Sequence, residues 1–434
     1  MTNRFFYLLT GLVALAVGAY LLPLLLPAVI VGTLLLAGVT LVDAWVLWQG
    51  GALHVERTVA DRLSNGDLNP VALALESTYP FETQVEVIDE IPAQLQVRDL
   101  SLDVHLPAHE TKRLRYEVRP TTRGVYGFGQ TRAYARTRLG LAERGFAGSN
   151  AVDVAVYPSY MQVQAYALYG VADPFAETGI KRVRRLGHTM EFDQIRPYTV
   201  GDDVRTVNWK ATARRQALMV NQYEDERAQR VYCVIDKGRL MKLPFDGLTL
   251  LDHAINASLV LSHIVVRRHD RAGLLTFAET PSRFIPADHR TGQLVRLQQA
   301  LYDVETGFLE SDFEALFAHV RARIKRRSLL MLFTNVETMA GLRRRLPVLR
   351  RLARYHLVCV VFFENPDVTG LAEEKPATVE AAYTQAVAQR FGQEKREIVR
   401  ELTRHGILSV LTPPEELTVN TLNKYIEVKA RRML

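Results

Sequence analysis

The sequence predicts a multidomain chain with an N-terminal transmembrane helical hairpin, a β-sandwich and an α/β (Rossmann-like) domain. The first 50 residues are almost entirely apolar, and the segment from 55 to 160 alternates apolar and polar residues with period two. Beyond residue 226, apolar strands alternate with amphipathic segments of helix length. The predicted boundaries are 1–50 for the hairpin, 51–165 for the sandwich, 166–226 for a linker and 227–434 for the α/β domain.

The composition is that of a folded chain with locally concentrated positive charge. The 434 residues are 48% hydrophobic and 23% charged, which excludes a disordered or fibrous protein. The net charge of +7 is gathered in short basic runs at 181–185, 321–327, 343–345 and 429–432. These runs suit lipid head groups, nucleic acid or an acidic protein surface, and ordinary solvated helix faces are the alternative.

The hairpin prediction depends on the near absence of charge from the first 50 residues. Between residues 5 and 48 the only charged side chain is Asp43. Pro23 and Pro27 divide this stretch into two apolar runs of about 18 and about 21 residues, each long enough to cross a bilayer. Trp45 and Trp48 end the second run, where indole rings favour the membrane interface.

The flanking charges predict the orientation of this hairpin. Arg4, Arg57 and Arg62 flank the apolar runs, and positive flanks remain on the cytoplasmic side. A cleaved signal peptide starting at Arg4 is the alternative for the first run, although no polar cleavage region precedes the second run. In either case the chain beyond residue 50 is expected in the cytoplasm.

The segment from 55 to 160 predicts short antiparallel strands. Turn and breaker residues separate its alternating runs, a pattern that resembles immunoglobulin or fibronectin modules. Gly124, Gly127 and Gly129 could suggest a phosphate-binding loop. Because no helix follows them and the aromatic residues alternate as in a strand, a glycine-rich bulge or strand edge is the preferred interpretation.

The last 200 residues predict a mostly parallel sheet. Candidate strands lie at 231–236, 272–278, 329–335, 357–363 and 407–411, and candidate helices at 248–267, 291–302, 312–325, 338–355, 377–404 and 414–432. Cys233 and Cys359 lie inside two of these strands and are expected to be core residues. Asp236 and Asn335 end strands, where ligands gather in open α/β sheets.

A dense polar motif lies between the two soluble domains. Its spacing resembles the defining motif of the domain-of-unknown-function-58 family, and the resemblance covers nearly the whole chain. The matching residues are Glu191, Phe192, Arg196, Tyr198, Gly201, Asp202, Asp203, Arg205, Trp209 and Arg214.

The residue types of this motif predict an ordered loop. Arg196, Arg205 and Arg214 could bridge the carboxylates of Glu191, Asp202 and Asp203. Gly201 permits a tight turn, and Trp209 is expected to be buried beneath the loop. The alternative is that the arginines capture a phosphate or an acidic partner.

The α/β domain resembles a von Willebrand factor A fold, which the family is believed to contain. That fold holds a metal through an Asp-x-Ser-x-Ser loop, a threonine and a second aspartate. Here Asp236 is retained, Gly238 and Leu240 replace both serines, Ser311 could stand for the threonine, and Asn335 replaces the second aspartate.

This exchange argues against a metal site at the end of the first strand. A hard cation such as Mg²⁺ needs several oxygen ligands, and the loop has lost at least two of them. We therefore expect no cofactor, and a salt bridge from Asp236 to Lys237 or Arg239 is the preferred interpretation over Mg²⁺.

The function that the resemblance implies is that of a scaffold rather than an enzyme. Nucleotide-binding, zinc-protease, hydrolase and dithiol signatures are absent from the sequence. The family is commonly paired with MoxR-type AAA+ ATPases, so the expected role is a bacterial inner-membrane adaptor with cytoplasmic soluble domains. Membrane lipid and other von Willebrand factor A-domain proteins are further expected partners, and nucleic acid is disfavoured.

Two alternative functions stay open. One is an anion-binding or nucleic-acid-binding membrane protein that uses the basic runs. The other is a hydrolase of cell-envelope precursors, for which His188, Glu191, Asp202 and Asp203 are the candidate catalytic residues.

Overall fold

The computed structural model describes residues 1–97, 100–159, 190–199, 202, 204–225, 228–290 and 292–433. The chain divides into two compact units, Met1–Ser159 and Tyr160–Leu434. The first unit contains the hairpin and the β-rich region, and the second contains the motif and the α/β region.

Two apolar helices open the first unit. Helix α1 (Asn3–Leu21) and helix α2 (Leu26–Gln49) are joined by a 3₁₀ turn at Pro23–Leu25. Both are long and apolar enough to cross a membrane, and only 6% of each apolar window is buried. The predicted pair of apolar helices is confirmed, and it is consistent with a membrane anchor.

Ten short strands follow the hairpin. They are β1 (Leu53–Thr58), β2 (Arg62–Ser64), β3 (Asn69–Ser77), β4 (Thr83–Asp89), β5 (Ser101–Leu106), β6 (Thr111–Val118), β7 (Gly124–Phe128), β8 (Thr131–Arg136), β9 (Glu143–Ala147) and β10 (Val152–Tyr157). Along β3 and β4, buried residues alternate with exposed or half-buried ones, which is the pattern of strands with one face in a core.

These strands form two layers around a shared core. The sheet β1, β3, β6 faces the sheet β5, β4, β8, β9 through an apolar cluster that includes Leu73, Val85 and Ala133. A third sheet, β2, β10, β7, packs against the sheet β1, β3, β6 through Tyr126 and Val154. Strand β7 carries Gly124 and Gly127 at the edge of its sheet, so the interpretation of these glycines as a strand edge is confirmed.

Arg57, one of the basic residues that follow the apolar helices, lies inside this core. It is 8% exposed, and its guanidinium nitrogen lies 2.7 Å from the Asp89 carboxylate. The same guanidinium donates to the carbonyls of Gly129 and Asn150, while Tyr116 and Thr131 donate to Asp89. Because β1 alternates buried and exposed positions, its odd residues face inward, and a charge there requires a buried partner.

The hairpin is tied to the β8–β9 loop at both of its ends. Backbone nitrogens of Leu141 and Ala142 donate to the Asp43 carboxylate at 3.0 and 2.8 Å, and the Thr137 hydroxyl donates to it as well. At the other end, Thr2 donates through its hydroxyl to the Gly140 carbonyl. The charged residue of the apolar stretch is therefore 2% exposed and fully hydrogen-bonded to the β-rich region.

The second unit begins with a small motif substructure. Strand β11 (Met190–Pro197) pairs antiparallel with β12 (Met219–Asp225), and helix α3 (Trp209–Arg215) lies between them in sequence. In its described part, the predicted linker at 166–226 thus contains a β-hairpin and a short helix.

The rest of the unit alternates strands and helices. The strands are β13 (Arg230–Asp236), β14 (Pro244–Phe245), β15 (Leu248–Thr249), β16 (Arg271–Phe277), β17 (Pro281–Asp288), β18 (Leu329–Phe333), β19 (Leu357–Phe363) and β20 (Leu408–Thr412). The helices are α4 (Leu250–Arg267), α5 (Gln293–Tyr302), α6 (Phe313–Arg323), α7 (Met339–Ala353), α8 (Pro366–Glu373), α9 (Val379–Arg404) and α10 (Leu417–Ala430).

A six-stranded sheet forms the centre of this region. Its order is β17, β16, β13, β18, β19, β20, and all neighbours are parallel except the edge pair β16 and β17. Helices α4, α5 and α10 cover one face, and α6, α7 and α9 cover the other. The predicted α/β architecture is confirmed. The strand order proceeds from β13 toward one edge of the sheet and from β18 toward the other. Open α/β sheets form crevices at such a switch point.

Both cysteines are buried in the central strands, as predicted. Cys233 lies in β13 and Cys359 in β19. Burial raises the pKa of the Cys233 thiol to about 11 and that of Cys359 to about 12. These thiols are core residues.

Candidate functional site

The family motif is held together by backbone hydrogen bonds between its segments. The nitrogen of Tyr198 donates to the Leu218 carbonyl at 2.8 Å, and the nitrogen of Asn208 donates to the Met219 carbonyl at 2.8 Å. Asn208 also caps α3, since its side chain accepts from the nitrogen of Ala211. The start of α3 is therefore fixed against the start of β12.

Arg196 and Asp202 form the ion pair that organises the turn after β11. A guanidinium nitrogen lies 2.5 Å from one carboxylate oxygen, and the other oxygen accepts from the nitrogen and hydroxyl of Thr199 at 2.8 and 2.9 Å. Arg196, and then the Thr199 backbone nitrogen, lower the pKa of Asp202 to about 2. This pair is the part of the predicted charge network that the described residues contain.

Several motif residues lie outside the described part of the chain. Gly201, Asp203 and the candidate catalytic residue His188 are not described. Of Glu191, Phe192 and Arg205, only the backbones are described. Arg214 is exposed in the last turn of α3, where a basic side chain complements the helix dipole.

Trp209 is not buried, contrary to the prediction from sequence. It is the first residue of α3 and is 71% exposed, and none of the seven residues of this helix is buried among the residues that the structure describes. Val204 and Leu218 are 68% and 50% exposed. Asn208 and Met219 are joined by a backbone hydrogen bond, and Trp209 and Leu218 are their chain neighbours. Two exposed apolar side chains are therefore attached to neighbouring backbone positions.

The carboxyl edge of the parallel sheet gathers the predicted metal-site residues around Asp236. One oxygen of this buried carboxylate accepts from the Gly238 nitrogen at 2.8 Å and from the Ser311 hydroxyl. The other accepts from the Thr334 hydroxyl at 2.5 Å. Thr334, which was not predicted from the sequence, makes the contact with Asp236 at the end of β18, where Asn335 was predicted to stand for the second aspartate.

Gly238 is required by this arrangement. A Cβ atom built there would lie 2.2 Å from the Ser311 hydroxyl oxygen and 3.1 Å from the Asp236 carboxylate. The space that a serine side chain would need at 238 is therefore occupied by the hydroxyl of Ser311.

Cations next to the carboxylate come from helices α7 and α9. Arg345 donates to the Asn335 carbonyl at 3.0 Å and approaches the Thr334 hydroxyl at 3.5 Å. Lys395 donates to the Val336 carbonyl at 2.7 Å and to the Asn335 side chain at 3.3 Å. Burial lowers the pKa of Arg345, and it lowers the pKa of Lys395 to about 8.

The salt bridge expected from Asp236 to Lys237 or Arg239 is not the arrangement that the described residues adopt. Arg239 instead pairs with Glu310 at 2.7 Å. Asp236 needs no neighbouring cation from its own loop because one backbone nitrogen and two hydroxyls already satisfy its oxygens.

The residues around Asp236 do not fit a magnesium ion. Both hydroxyls direct their protons at the carboxylate, Asp236 is the single anionic group of the set, and Arg345 contributes positive charge beside Thr334. Across the described residues, no group of three or more His, Cys, Asp or Glu side chains is arranged to hold a metal.

A pocket of about 490 Å³ opens beside this centre, and we call it the carboxyl-edge pocket. It lies where β18, β19 and β20 end, between α8 and α9. Its apolar walls come mainly from Phe245, Phe363, Val368, Ala372 and Phe391, and its polar lining includes Asn335, Glu337, Glu364, Lys395 and Arg396. The sequence reading did not identify this pocket, because α8 was not predicted.

A basic patch lies on the opposite, amino edge of the sheet, at the C-terminal ends of α6 and α7. Its exposed members are Arg321, Arg323, Lys325, Arg326, Arg327, Arg350 and Arg354. Arg321 lies 3.9 Å above the ring of Tyr355, which brings the two helix ends together. After burial, Arg321 and Arg327 further lower the pKa of His356.

Residues 194–404 match the family described as "Protein of unknown function DUF58". The uncharacterized protein YeaD of Bacillus subtilis (strain 168) is 25% identical over 231 residues, which are 51% of this chain and 55% of the relative. The chain thus spans about half the length of the curated relative that it matches.

Two solved structures resemble parts of the chain at low TM-scores. The CARDB domain of a Pyrococcus furiosus protein, solved in complex with di-metal ions, has 19% identity and a TM-score of 0.20, with 25% of this chain and 90% of that chain covered. The conserved hypothetical protein BatB from Bacteroides thetaiotaomicron has 13% identity and a TM-score of 0.31, with 47% and 100% covered. Both scores are too low to support an inference about fold or function.

Proposed function

Because residues 194–404 belong to the DUF58 family, we propose that the chain is a membrane-anchored adaptor that docks a MoxR-type AAA+ ATPase or its client. The hairpin holds the protein in the bacterial inner membrane, and both soluble units lie in the cytoplasm. The α/β region is a degenerate von Willebrand factor A-like domain, and the β-rich region is an immunoglobulin-like or fibronectin-like sandwich. We propose no catalytic role.

The exposed surface of the motif carries this proposal. Trp209 is 71% exposed and lies beside Leu218, and exposed Lys210, Arg214 and Arg215 follow on the same short helix. Tryptophan and arginine are the residue types that most often dominate the binding energy of protein interfaces. A tryptophan that is 71% exposed in the described part of the chain supports a docking role.

The centre at the carboxyl edge supports a non-catalytic A-type domain. Its order of strands, with one antiparallel edge, is that of an open α/β sheet with its crevice beside Asp236. Hydroxyls and a backbone nitrogen satisfy Asp236, so the centre maintains its shape without a metal. Such a buried, fully hydrogen-bonded centre supports a structural role for Asp236.

Affinity purification of the full chain from its native membranes tests the proposal. We expect a MoxR-type ATPase, identified by mass spectrometry of its peptides, to co-purify and its recovery to change with ATP. Trp209→Ala should reduce recovery at least tenfold. The matched control is Val379→Ala on α9, a residue that is 90% exposed outside the motif.

Two outcomes would contradict the adaptor role. One is that no such ATPase is recovered with or without ATP. The other is that Trp209→Ala and Val379→Ala retain it equally while both variants fold as the wild type does.

A second candidate function, binding of anionic lipid head groups, is favoured by the basic patch. Within the described residues no carboxylate forms an ion pair with any of its seven members. Each basic residue near an anionic membrane contributes on the order of 1 kcal/mol. The apolar hairpin on the same chain keeps the patch at high effective concentration near lipid.

Hydrogen exchange in nanodiscs tests this candidate. We expect residues 321–327 to be protected by phosphatidylglycerol but not by phosphatidylcholine, and 0.5 M NaCl to abolish the protection because it shortens the screening length of exposed charges to about 4 Å. Arg323→Glu with Arg327→Glu should remove the protection. Arg390→Glu with Arg400→Glu on α9 is the control, and equal protection in both lipids would contradict lipid binding.

A further inference from the structure

The carboxyl-edge pocket has the size and composition of a small-molecule site. Its volume of about 490 Å³ lies within the usual range for such sites. Phe245, Val368, Ala372 and Phe391 give it apolar walls, and Phe391 is 45% exposed at its mouth. It also lies at the carboxyl ends of parallel strands, where open α/β sheets bind ligands.

Lys395 is a basic residue of this lining whose hydrogen bonds are made to neutral groups. Its ammonium donates to two neutral oxygens, the Val336 carbonyl and the Asn335 side chain. No ion pair to Lys395 occurs among the residues that the structure describes, and Glu337, Glu364 and Glu394 act on it only from a longer distance. An ammonium group has three protons to donate, so Lys395 retains one for an incoming acceptor.

A partly buried cation whose hydrogen-bond acceptors are both neutral can still pair with an incoming anion. Removing a charge from water is costly unless an opposite charge accompanies it, and within a pocket the ligand can supply that charge. The adjacent walls are apolar, so the remainder of such a ligand must be apolar as well.

We propose that the carboxyl-edge pocket binds a small carboxylate with an apolar body, whose carboxylate pairs with Lys395 and whose body packs against Phe391 and Val368. A free amphiphilic acid and the C-terminus of a peptide with an apolar last residue share this chemistry. The inference goes beyond the adaptor role and does not depend on it, because binding needs no ATPase.

Equilibrium dialysis of the full chain in phosphatidylcholine nanodiscs tests the pocket with radiolabelled 4-phenylbutyrate. We expect 4-phenylbutyrate to bind at least tenfold more tightly than 4-phenylbutanamide, which has the same apolar body without the charge. Lys395→Met should weaken binding of the acid at least tenfold. Arg390→Met, an exposed residue of α9 outside the lining, should leave it unchanged.

A second variant fills the pocket and leaves Lys395 in place. A Cβ atom at Gly392 would meet only the Arg396 guanidinium, at 3.8 Å, so a larger side chain at that position has room. Gly392→Leu also improves helix propensity inside α9 and should fold. We expect it to abolish binding of 4-phenylbutyrate, and this variant decides the matter if Lys395→Met does not fold.

Competition experiments identify the source of the carboxylate. Displacement of the probe by octanoate supports the proposal with a free acid as ligand, and displacement by N-acetyl-leucylphenylalanine, but not by its amide, supports it with a peptide terminus. Equal binding of acid and amide, no binding of either, or unchanged binding to Gly392→Leu would overturn the proposal. A lysine that only holds Asn335 and Val336 in place would produce the first of these results.

Discussion

The carboxylate of Asp43 on α2 accepts a 2.8 Å hydrogen bond from the backbone nitrogen of Ala142, 99 residues further along the chain. This contact joins the apolar hairpin to the loop between β8 and β9. It also explains why a charge is present near the end of the second apolar run, since that carboxylate satisfies two backbone donors.

Asp43→Ala should therefore destabilise the first unit. The substitution leaves the nitrogens of Leu141 and Ala142 without an acceptor, at a cost of about 2–4 kcal/mol in the free energy of unfolding. Guanidinium denaturation in detergent, followed through the fluorescence of Trp45 and Trp48, measures this. Asp61→Asn at an exposed position is the control, and equal midpoints for the two variants would refute the interpretation.

Loss of the buried Arg57 should be more damaging than loss of any exposed arginine. Arg57→Met leaves the Asp89 carboxylate buried without its cation, which should cost about 3–5 kcal/mol. The double variant Arg57→Met with Asp89→Leu should recover part of that loss in thermal unfolding. If the double variant is less stable than the single one, the buried charge is not the cause.

The stabilising effect of Asp202 should depend on acid pH. Its pKa in the folded chain is about 2, below the model-compound value of 3.8, so the ionised carboxylate stabilises the fold above about pH 4. This stabilisation is lost as the pH falls through the folded pKa. The melting temperatures of wild type and Asp202→Asn should differ at pH 6 and converge near pH 2. A constant difference over this range would exclude the ion pair with Arg196 as its source.

Magnesium should not stabilise the second unit. A bound ion would raise the free energy of unfolding in proportion to the logarithm of its concentration, and we expect no shift in melting temperature up to 10 mM Mg²⁺. Thr334→Val should cost about 1–3 kcal/mol instead, because it removes a donor from the buried Asp236. A magnesium-dependent shift that Asp236→Ala abolishes would show that a cation binds there.

The two thiols should be unreactive in the folded protein. Cys233 and Cys359 are buried, and their pKa values are raised to about 11 and about 12, so little thiolate exists at pH 7. Maleimide should label neither residue in native protein and both in 6 M guanidinium, as mass spectrometry can measure. Rapid labelling of one thiol under native conditions would indicate local opening of its strand.

The strands of the α/β region could be predicted because their apolar runs are continuous and buried on both faces. Strand β17 was missed because it contains Pro281 and Pro286 and is only half buried, as suits an antiparallel edge. Helix α8 was missed because it is short, starts at Pro366 and has no buried residue. Without α8, the carboxyl-edge pocket had no second wall in the prediction.

Local sequence predicted only part of the set of residues that meet at Asp236. Ser311 contacts Asp236 as predicted, whereas Thr334 contacts it in place of the predicted Asn335, because side chains of consecutive residues in extended backbone point in opposite directions. Trp209 was predicted to be buried from its size alone. Its exposure depends on the absence of any layer over α3 in the described structure, which residue type does not reveal.

The attachment of Thr2 and Asp43 to one loop limits how the two apolar helices can cross a membrane. If both helices span a bilayer, the two ends of the hairpin emerge on the same side, because both touch Gly140 to Ala142. A reporter fused before Met1 and another inserted after Gly50 would then give identical topology readings. Proteolytic removal of the first helix would also remove the hydrogen bond from Thr2 to Gly140.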